Sequence, residues 1–111
     1  MKTTFTAVAV ARVLIAPENE GKEFYGTELQ QALNMPPGTL YPILRRFREA
    51  KGPDGKPRPY LTARWETPSR ARREHPGPPR RPHKLTEAGR EDLTEMVRKW
   101  DSTRNQPAVG A

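Results

Sequence analysis

The sequence predicts a mainly α-helical domain with one small β-hairpin, and three observations support this fold class. Several stretches place apolar residues at i, i+3, i+4 and i+7, the spacing of a helix that buries one side. A short stretch beginning at residue 60 alternates apolar and polar residues, as a half-buried strand does. The chain has 111 residues, which suits a single domain with a modest core.

Composition and charge limit the classes of function. Hydrophobic residues make up 33% of the chain and charged residues 30%, as in a soluble protein. The net charge of +7 and the isoelectric point near 10.2 favour an anionic partner, nucleic acid before a membrane surface. The sequence contains no cysteine, which excludes disulfides, zinc fingers and thiol catalysis.

The first helix is predicted over residues 4–16. Its surroundings, "MKTTFTAVAVARVLIAPENE", could be mistaken for a leader peptide, but Arg12 interrupts the apolar run. No span approaches the roughly 20 apolar residues of a membrane helix, so we expect no membrane partner. The apolar side chains point in nearly every direction, which predicts burial against both this domain and a twin subunit.

A helix-turn-helix is predicted next. One helix covers about 24–34, "NMPPG" breaks the chain, and a second helix covers about 37–50. That second helix, containing "GTLYPILRRFREA", has two unlike sides. Its packing stripe consists of Leu40, Ile43, Leu44 and Phe47. Its opposite face carries Pro42, Arg45, Arg46 and Glu49, with Thr39 and Tyr41 on the flanks.

A loop and a hairpin are predicted to follow. "KGPDGKPRP" (51–59) is rich in turn residues. "YLTARWE" (60–66) is the first strand, with Trp65 expected to anchor it to the core. After a proline-rich stretch, 80–85 forms the second strand. Pro82 lacks a ladder donor, so this strand is expected at a sheet edge.

The last helix is predicted over 87–100 with Thr86 as its N-cap. Its stripe contains Leu93, Met96, Val97 and Trp100. Residues 101–111 show no periodicity and are expected to be a disordered tail, which leaves 1–100 as the folded domain. The order helix–helix–helix–strand–strand–helix is that of a winged helix-turn-helix.

Positive charge is concentrated in one part of the chain. Residues 36–84 hold 13 Lys and Arg against 4 Asp and Glu, a net charge of +9, whereas all other residues hold 7 against 9. A uniformly basic protein would not show this division. Because such clusters neutralise phosphates and release counterions, the charge map favours binding of nucleic acid by the third helix and the wing.

Four stretches resemble the PadR family of bacterial transcriptional regulators: "FYGTEL" (24–29), "GTLYPILRRF" (38–47), "RWE" (64–66) and "PPRRPHKLTEAGREDL" (78–93). The short form with one C-terminal helix is most similar in length. The resemblance implies a cytoplasmic, nucleoid-associated, homodimeric repressor whose third helix enters the DNA major groove. The chain departs from the family by inserting "KGPDGKPRPYL" after that helix, and by having Pro82–His83 where two aromatic residues are usual.

The resemblance also implies roles for individual residues. Arginine can bind guanine in a bidentate manner and threonine can contact a thymine methyl group, whereas contacts to phosphate position the protein without specifying sequence. Tyr41 and Arg45 are expected at the DNA surface, with Thr39 and Arg46 beside them, and the Tyr41 hydroxyl is expected to contact a phosphate. The residues expected to bind phosphate, in a basic wing of about 67–82, are Arg70, Arg72, Arg73, Arg80 and Arg81.

The first and last helices are implied to form the dimer, through Val10, Leu14, Leu93, Met96, Val97 and Trp100. Trp100 could also stack on a small aromatic effector, although completion of the dimer core is favoured. The expected DNA partner is an inverted-repeat operator. Two alternatives remain: a non-specific nucleic-acid binder, and a winged helix used as a protein-interaction module.

Enzymatic chemistry is not indicated by the sequence. His75 and His83 lack metal-ligand spacing, and no glycine-rich loop has the pattern of a nucleotide site. We therefore expect neither a cofactor nor a metal.

Overall fold

The structure is a computed structural model that describes residues 3–65 and 81–105. It contains the predicted helices and hairpin strands in the predicted order, with an additional short strand before the second helix. The elements are α1 (Phe5–Ile15), a 3-10 turn (Pro17–Asn19), β1 (Glu23–Phe24), α2 (Gly26–Leu33), α3 (Pro37–Arg48), β2 (Leu61–Ala63), β3 (His83–Leu85) and α4 (Glu87–Asn105).

The three strands form an antiparallel sheet in the order β1-β3-β2. Phe24 pairs with His83, and Leu61 pairs with Leu85. The strand β3 is therefore central, and the prediction that it lies at an edge was wrong. Pro82 precedes the strand, so its missing N–H removes no ladder bond. Its carbonyl accepts a hydrogen bond from the backbone N–H of Arg64 at 3.4 Å.

The helix boundaries follow local hydrogen bonds. Thr86 caps α4, as predicted, because its hydroxyl oxygen accepts from the backbone N–H of Gly89 at 2.8 Å. The same hydroxyl donates to the carbonyl of Pro59 at 2.7 Å. The helix α2 begins at Gly26, two residues later than predicted, because residues 23–24 pair with β3. It ends at Leu33, and the next residue, Asn34, caps it in a left-handed conformation with φ of 49°.

The last helix is longer than predicted. It continues through Asn105, so the predicted end of this helix at residue 100 was wrong. Residues 101–105 are polar and carry no periodic signal, but Asp101 forms an ion pair with Arg12 of α1. The remainder of the predicted tail lies outside the described residues. Within those residues, no helix is both long and apolar enough to cross a bilayer.

The core lies where α1, α3 and α4 meet the sheet. Its fully buried side chains include Phe24, Leu29, Leu40, Leu44, Phe47 and Leu61. Val10, Leu14 and Leu93 are also 0% exposed within this single chain. Their expected placement in a dimer interface therefore needs correction, because they contact the chain's own core. The helix α1 carries apolar residues on all sides because it packs against α2, α3 and α4.

The segment 51–59 is a tight turn rather than an open loop. Gly55 adopts a φ of +78°, and the Asp54 carboxylate accepts from the backbone N–H of Lys56 at 3.0 Å. Arg58 then donates from Nε to Asp92 of α4 at 2.8 Å and also pairs with Glu91. The insert thus connects the end of α3 to the last helix.

Candidate nucleic-acid interface

The helix α3 separates apolar from basic side chains, as the sequence predicted. Leu40, Leu44 and Phe47 are completely buried, and they fix the helix against the core. Between them, Tyr41 remains 42% exposed and the Arg45 side chain 71% exposed. The domain therefore presents a basic helix surface on a rigid support.

Tyr41 is positioned by the helix α2. A side chain at Gly26 would collide with the Tyr41 ring and hydroxyl, so glycine permits the close approach of the two helices. Gln30 donates from Nε2 to the Tyr41 hydroxyl at 3.2 Å. The hydroxyl hydrogen can then be donated to an acceptor outside the protein.

Arg45 is held only weakly. Its Nε donates to Glu49 at 3.3 Å, one helical turn away, and both side chains are mostly exposed. Such surface ion pairs contribute little to stability, so the guanidinium can exchange this partner for a ligand. Its neighbour Arg46 lies on the other flank of α3, where it lines an open groove with Thr4 and Tyr60. Thr39 is in the first turn of α3 and half-buried.

Arg81 lies where the wing joins the domain. Its guanidinium is 5.3 Å from the centre of the Trp65 ring, a favourable cation–π arrangement. Trp65 is 65% exposed, so the prediction that it anchors the wing to the core was wrong. The paired part of β2 ends at Ala63, which leaves Trp65 beyond the alternating segment. The other wing arginines, Arg70, Arg72, Arg73 and Arg80, lie outside the described residues.

Sequence reasoning missed Arg48 and His83 as partners. The Nη1 group of Arg48 lies 2.7 Å from Nε2 of His83. Burial, together with the positive charges of Arg48 and Arg81, lowers the pKa of His83 to about 4. The imidazole is therefore neutral near pH 7, and its Nε2 accepts the arginine N–H. In the sequence, Arg48 directly follows Phe47 of the packing stripe. This position beside the buried side of α3 was the signal that could have identified it.

The outer side of α4 retains the rest of the predicted dimer surface. Met96 and Trp100 are half-buried and line an open groove of about 570 Å³ together with Tyr60. Val97 is 9% exposed, so it contributes mainly to the core. Of the six residues expected in the interface, Met96 and Trp100 are thus the two with substantial exposed surface.

Metal chemistry has no candidate centre in the described part of the chain. No group of three or more His, Cys, Asp or Glu side chains there could hold a metal ion. His83, the one histidine among the described residues, already binds an arginine.

A helix-turn-helix followed by antiparallel strands, with an N-terminal and a C-terminal helix packed together, defines a winged-helix protein. Comparisons with solved structures support this class. A PadR-like transcription factor from Bacteroides fragilis has a TM-score of 0.60 and 24% identity, covering 88% of this chain and 82% of that one. A Streptococcus transcriptional regulator has a TM-score of 0.56 and 21% identity, covering 93% and 92%.

The circadian clock associated protein Pex from Anabaena is similar at a TM-score of 0.54 and 24% identity, covering 89% of this chain and 79% of Pex. No protein-family model and no curated protein matches the chain. At these identities the similarity concerns the fold. The predicted winged-helix fold is therefore confirmed, and it is the fold of PadR-like transcription factors.

Proposed function

We propose that this protein is a sequence-specific DNA-binding transcriptional regulator of the PadR type, acting as a homodimeric repressor. The observation that carries the proposal is the two-sided helix α3. Its apolar stripe is buried completely, while Tyr41 and Arg45 extend from the opposite side of a rigidly held helix. The structural neighbours include proteins described as transcription factors or regulators, which favours the same class here.

The geometry suits the major groove. A helix fits that groove when its outward side carries groups that match base edges. Arg45 can donate two hydrogen bonds to guanine O6 and N7 once it leaves Glu49, with which it forms only an exposed pair. Tyr41, which receives a hydrogen bond from Gln30, is suited to donate to a phosphate. Arg46 would contact the DNA on the opposite flank of the helix.

The proposed dimer uses the outer side of α4. Met96 and Trp100 leave apolar surface exposed along the groove beside Tyr60, and a second copy of α4 would cover it. Sedimentation of the Met96→Lys variant tests this interface, and Thr94→Lys is a matched control because Thr94 is exposed on the same helix. We expect a dimer for the wild-type and control proteins and a monomer for Met96→Lys. A monomeric wild-type protein would contradict the dimer proposal.

The groove also supports a second, smaller proposal, that a planar aromatic effector stacks on Trp100. The experiment uses the Trp65→Phe variant, so that Trp100 is the sole tryptophan. Titration with a planar dye should quench its fluorescence saturably. Absence of quenching would count against an effector site there.

Selection from random duplexes tests the central proposal. We expect enrichment of an inverted repeat with half-sites about one helical turn apart, or a multiple of it. Recovery of all duplexes alike would instead favour a non-specific binder, and recovery of none would favour a protein-interaction module. The control variant Arg98→Ala removes one positive charge from α4, where Arg98 pairs with Glu95. We expect it to enrich the same repeat as the wild-type protein. A cytoplasmic, nucleoid-associated location would follow from this function.

A further inference from the structure

Within residues 3–65 and 81–105, two arginines at the junction of α3 and the wing have an imidazole or an aromatic ring as their neighbour rather than a carboxylate. Arg12 and Arg58 each pair with acidic side chains. Arg48 instead donates to the neutral imidazole of His83, and Arg81 lies over the Trp65 ring. Within residues 3–65 and 81–105, neither Arg48 nor Arg81 forms an ion pair.

This junction is electrostatically unfavourable as it stands. The buried Nε of Arg81 has no hydrogen-bond acceptor in the described part of the chain, and an unsatisfied buried donor is costly. The pKa of Arg48 is lowered by burial and by the positive charge of Arg81, as expected where two cations lie near each other. Both remain protonated. An oxyanion bound between the two guanidinium groups would accept hydrogen bonds from their accessible N–H groups and offset the repulsion.

We infer that Arg48 and Arg81 together bind one phosphate group of the DNA backbone. The inference rests on the proposed function and adds a residue, Arg48, that the sequence did not indicate. His83 takes one N–H of Arg48 and leaves the others for phosphate oxygens, while Trp65 supports the guanidinium of Arg81. The site would fix the position of the wing root on the duplex.

Titration with inorganic phosphate tests the site without DNA. The side-chain Nε–Hε signals of the arginines are followed by NMR, with ionic strength held constant by sodium chloride. We expect the Arg48 and Arg81 signals to shift saturably, while that of Arg98 on α4 serves as the reference. In the Arg48→Gln variant the saturable shift of Arg81 should be lost. Shifts of Arg48 and Arg81 no larger than that of Arg98 would overturn the inference.

The salt dependence of duplex binding tests the source of the phosphate. Removing one phosphate contact makes the slope of log binding constant against log salt concentration less negative by about 0.9. We expect this change for the double variant Arg48→Gln/Arg81→Gln. The matched control, Arg90→Gln/Arg98→Gln, loses the same charge from α4 and should keep the wild-type slope. Thermal melting of each variant verifies that it is folded.

The two experiments separate the possible failures. If the wild-type protein binds no duplex, the proposed function is wrong, yet the phosphate titration still decides whether the anion site exists. If duplex binding is normal and the double variant keeps the wild-type slope, Arg48 and Arg81 do not bind the DNA backbone and the inference is wrong.

Discussion

The buried histidine His83 should make the stability of this domain depend on pH in a particular direction. Its pKa is lowered from 6.5 to about 4 in the folded protein, whereas the unfolded chain keeps the ordinary value. Between these two values the unfolded state binds the extra proton, so acidification favours unfolding. The free energy of unfolding therefore falls as the pH decreases below about 6.5.

The size of the effect follows from linkage. With pKa values of 6.5 and about 4, lowering the pH from 7 to about 5 removes about 2 kcal/mol of stability through this one group. The His83 side chain is only 2% exposed, so solvent screens the effect little. The pKa of Asp92 lies below its usual range because Arg58 hydrogen-bonds to it. Stability due to that depressed pKa is lost only at lower pH, as the pH falls below the pKa of the unfolded carboxyl group.

Urea denaturation at a series of pH values between 7 and 5 measures the effect. The His83→Gln variant provides the control, because glutamine retains an acceptor for Arg48 but does not titrate. We expect the wild-type midpoint to fall with decreasing pH and that of the variant to change much less. In parallel, NMR of the His83 ring should show a neutral imidazole at pH 5. A protonated ring at that pH, or an equal loss of stability in both proteins, would refute the reasoning.

Three further predictions concern the reading helix and its support. Arg45→Ala should weaken binding to the selected operator by on the order of 1–3 kcal/mol and relax preference at one base pair, as measured by fluorescence anisotropy; unchanged affinity would refute its reading role. Gly26→Ala should lower the melting temperature because the new methyl group meets Tyr41, and adding Tyr41→Ala should recover part of the loss; additive effects of the two changes would contradict this clash. Gly89→Ala should destabilise the fold by about 1–3 kcal/mol, since its Cβ would meet the backbone carbonyl of Tyr60; an unchanged denaturation midpoint would disprove the contact.

Periodicity was sufficient to predict most of the framework. The stripe Leu40–Phe47 and the cap at Thr86 both occur as expected, because each depends on residues within one or two turns of helix. The strand β1 contains two residues, too few for an alternating pattern to be recognised. It forms because Phe24 pairs with His83 of β3, a residue distant in the sequence.

The same reasoning explains the correction to the dimer surface. Apolar residues around the whole circumference of a helix show that it is surrounded, but they do not show by which chain. Val10 and Leu14 are covered by this chain's own elements. Burial within a subunit and burial between subunits give the same sequence pattern, and only the packing of α1 against α3 and α4 distinguishes them.

The partners of the arginines, rather than their number, distinguish three sets of basic side chains. Arg58 and Arg12 pair with acidic residues of α4 and thereby join distant parts of the fold. Arg45 has one exposed carboxylate within its own helix. Arg48 and Arg81 have no carboxylate in the described ranges. Because a cation already paired with a carboxylate must lose that partner before it binds phosphate, Arg48 and Arg81 supply charge for DNA at the lowest cost, and they lie on α3 and the wing root.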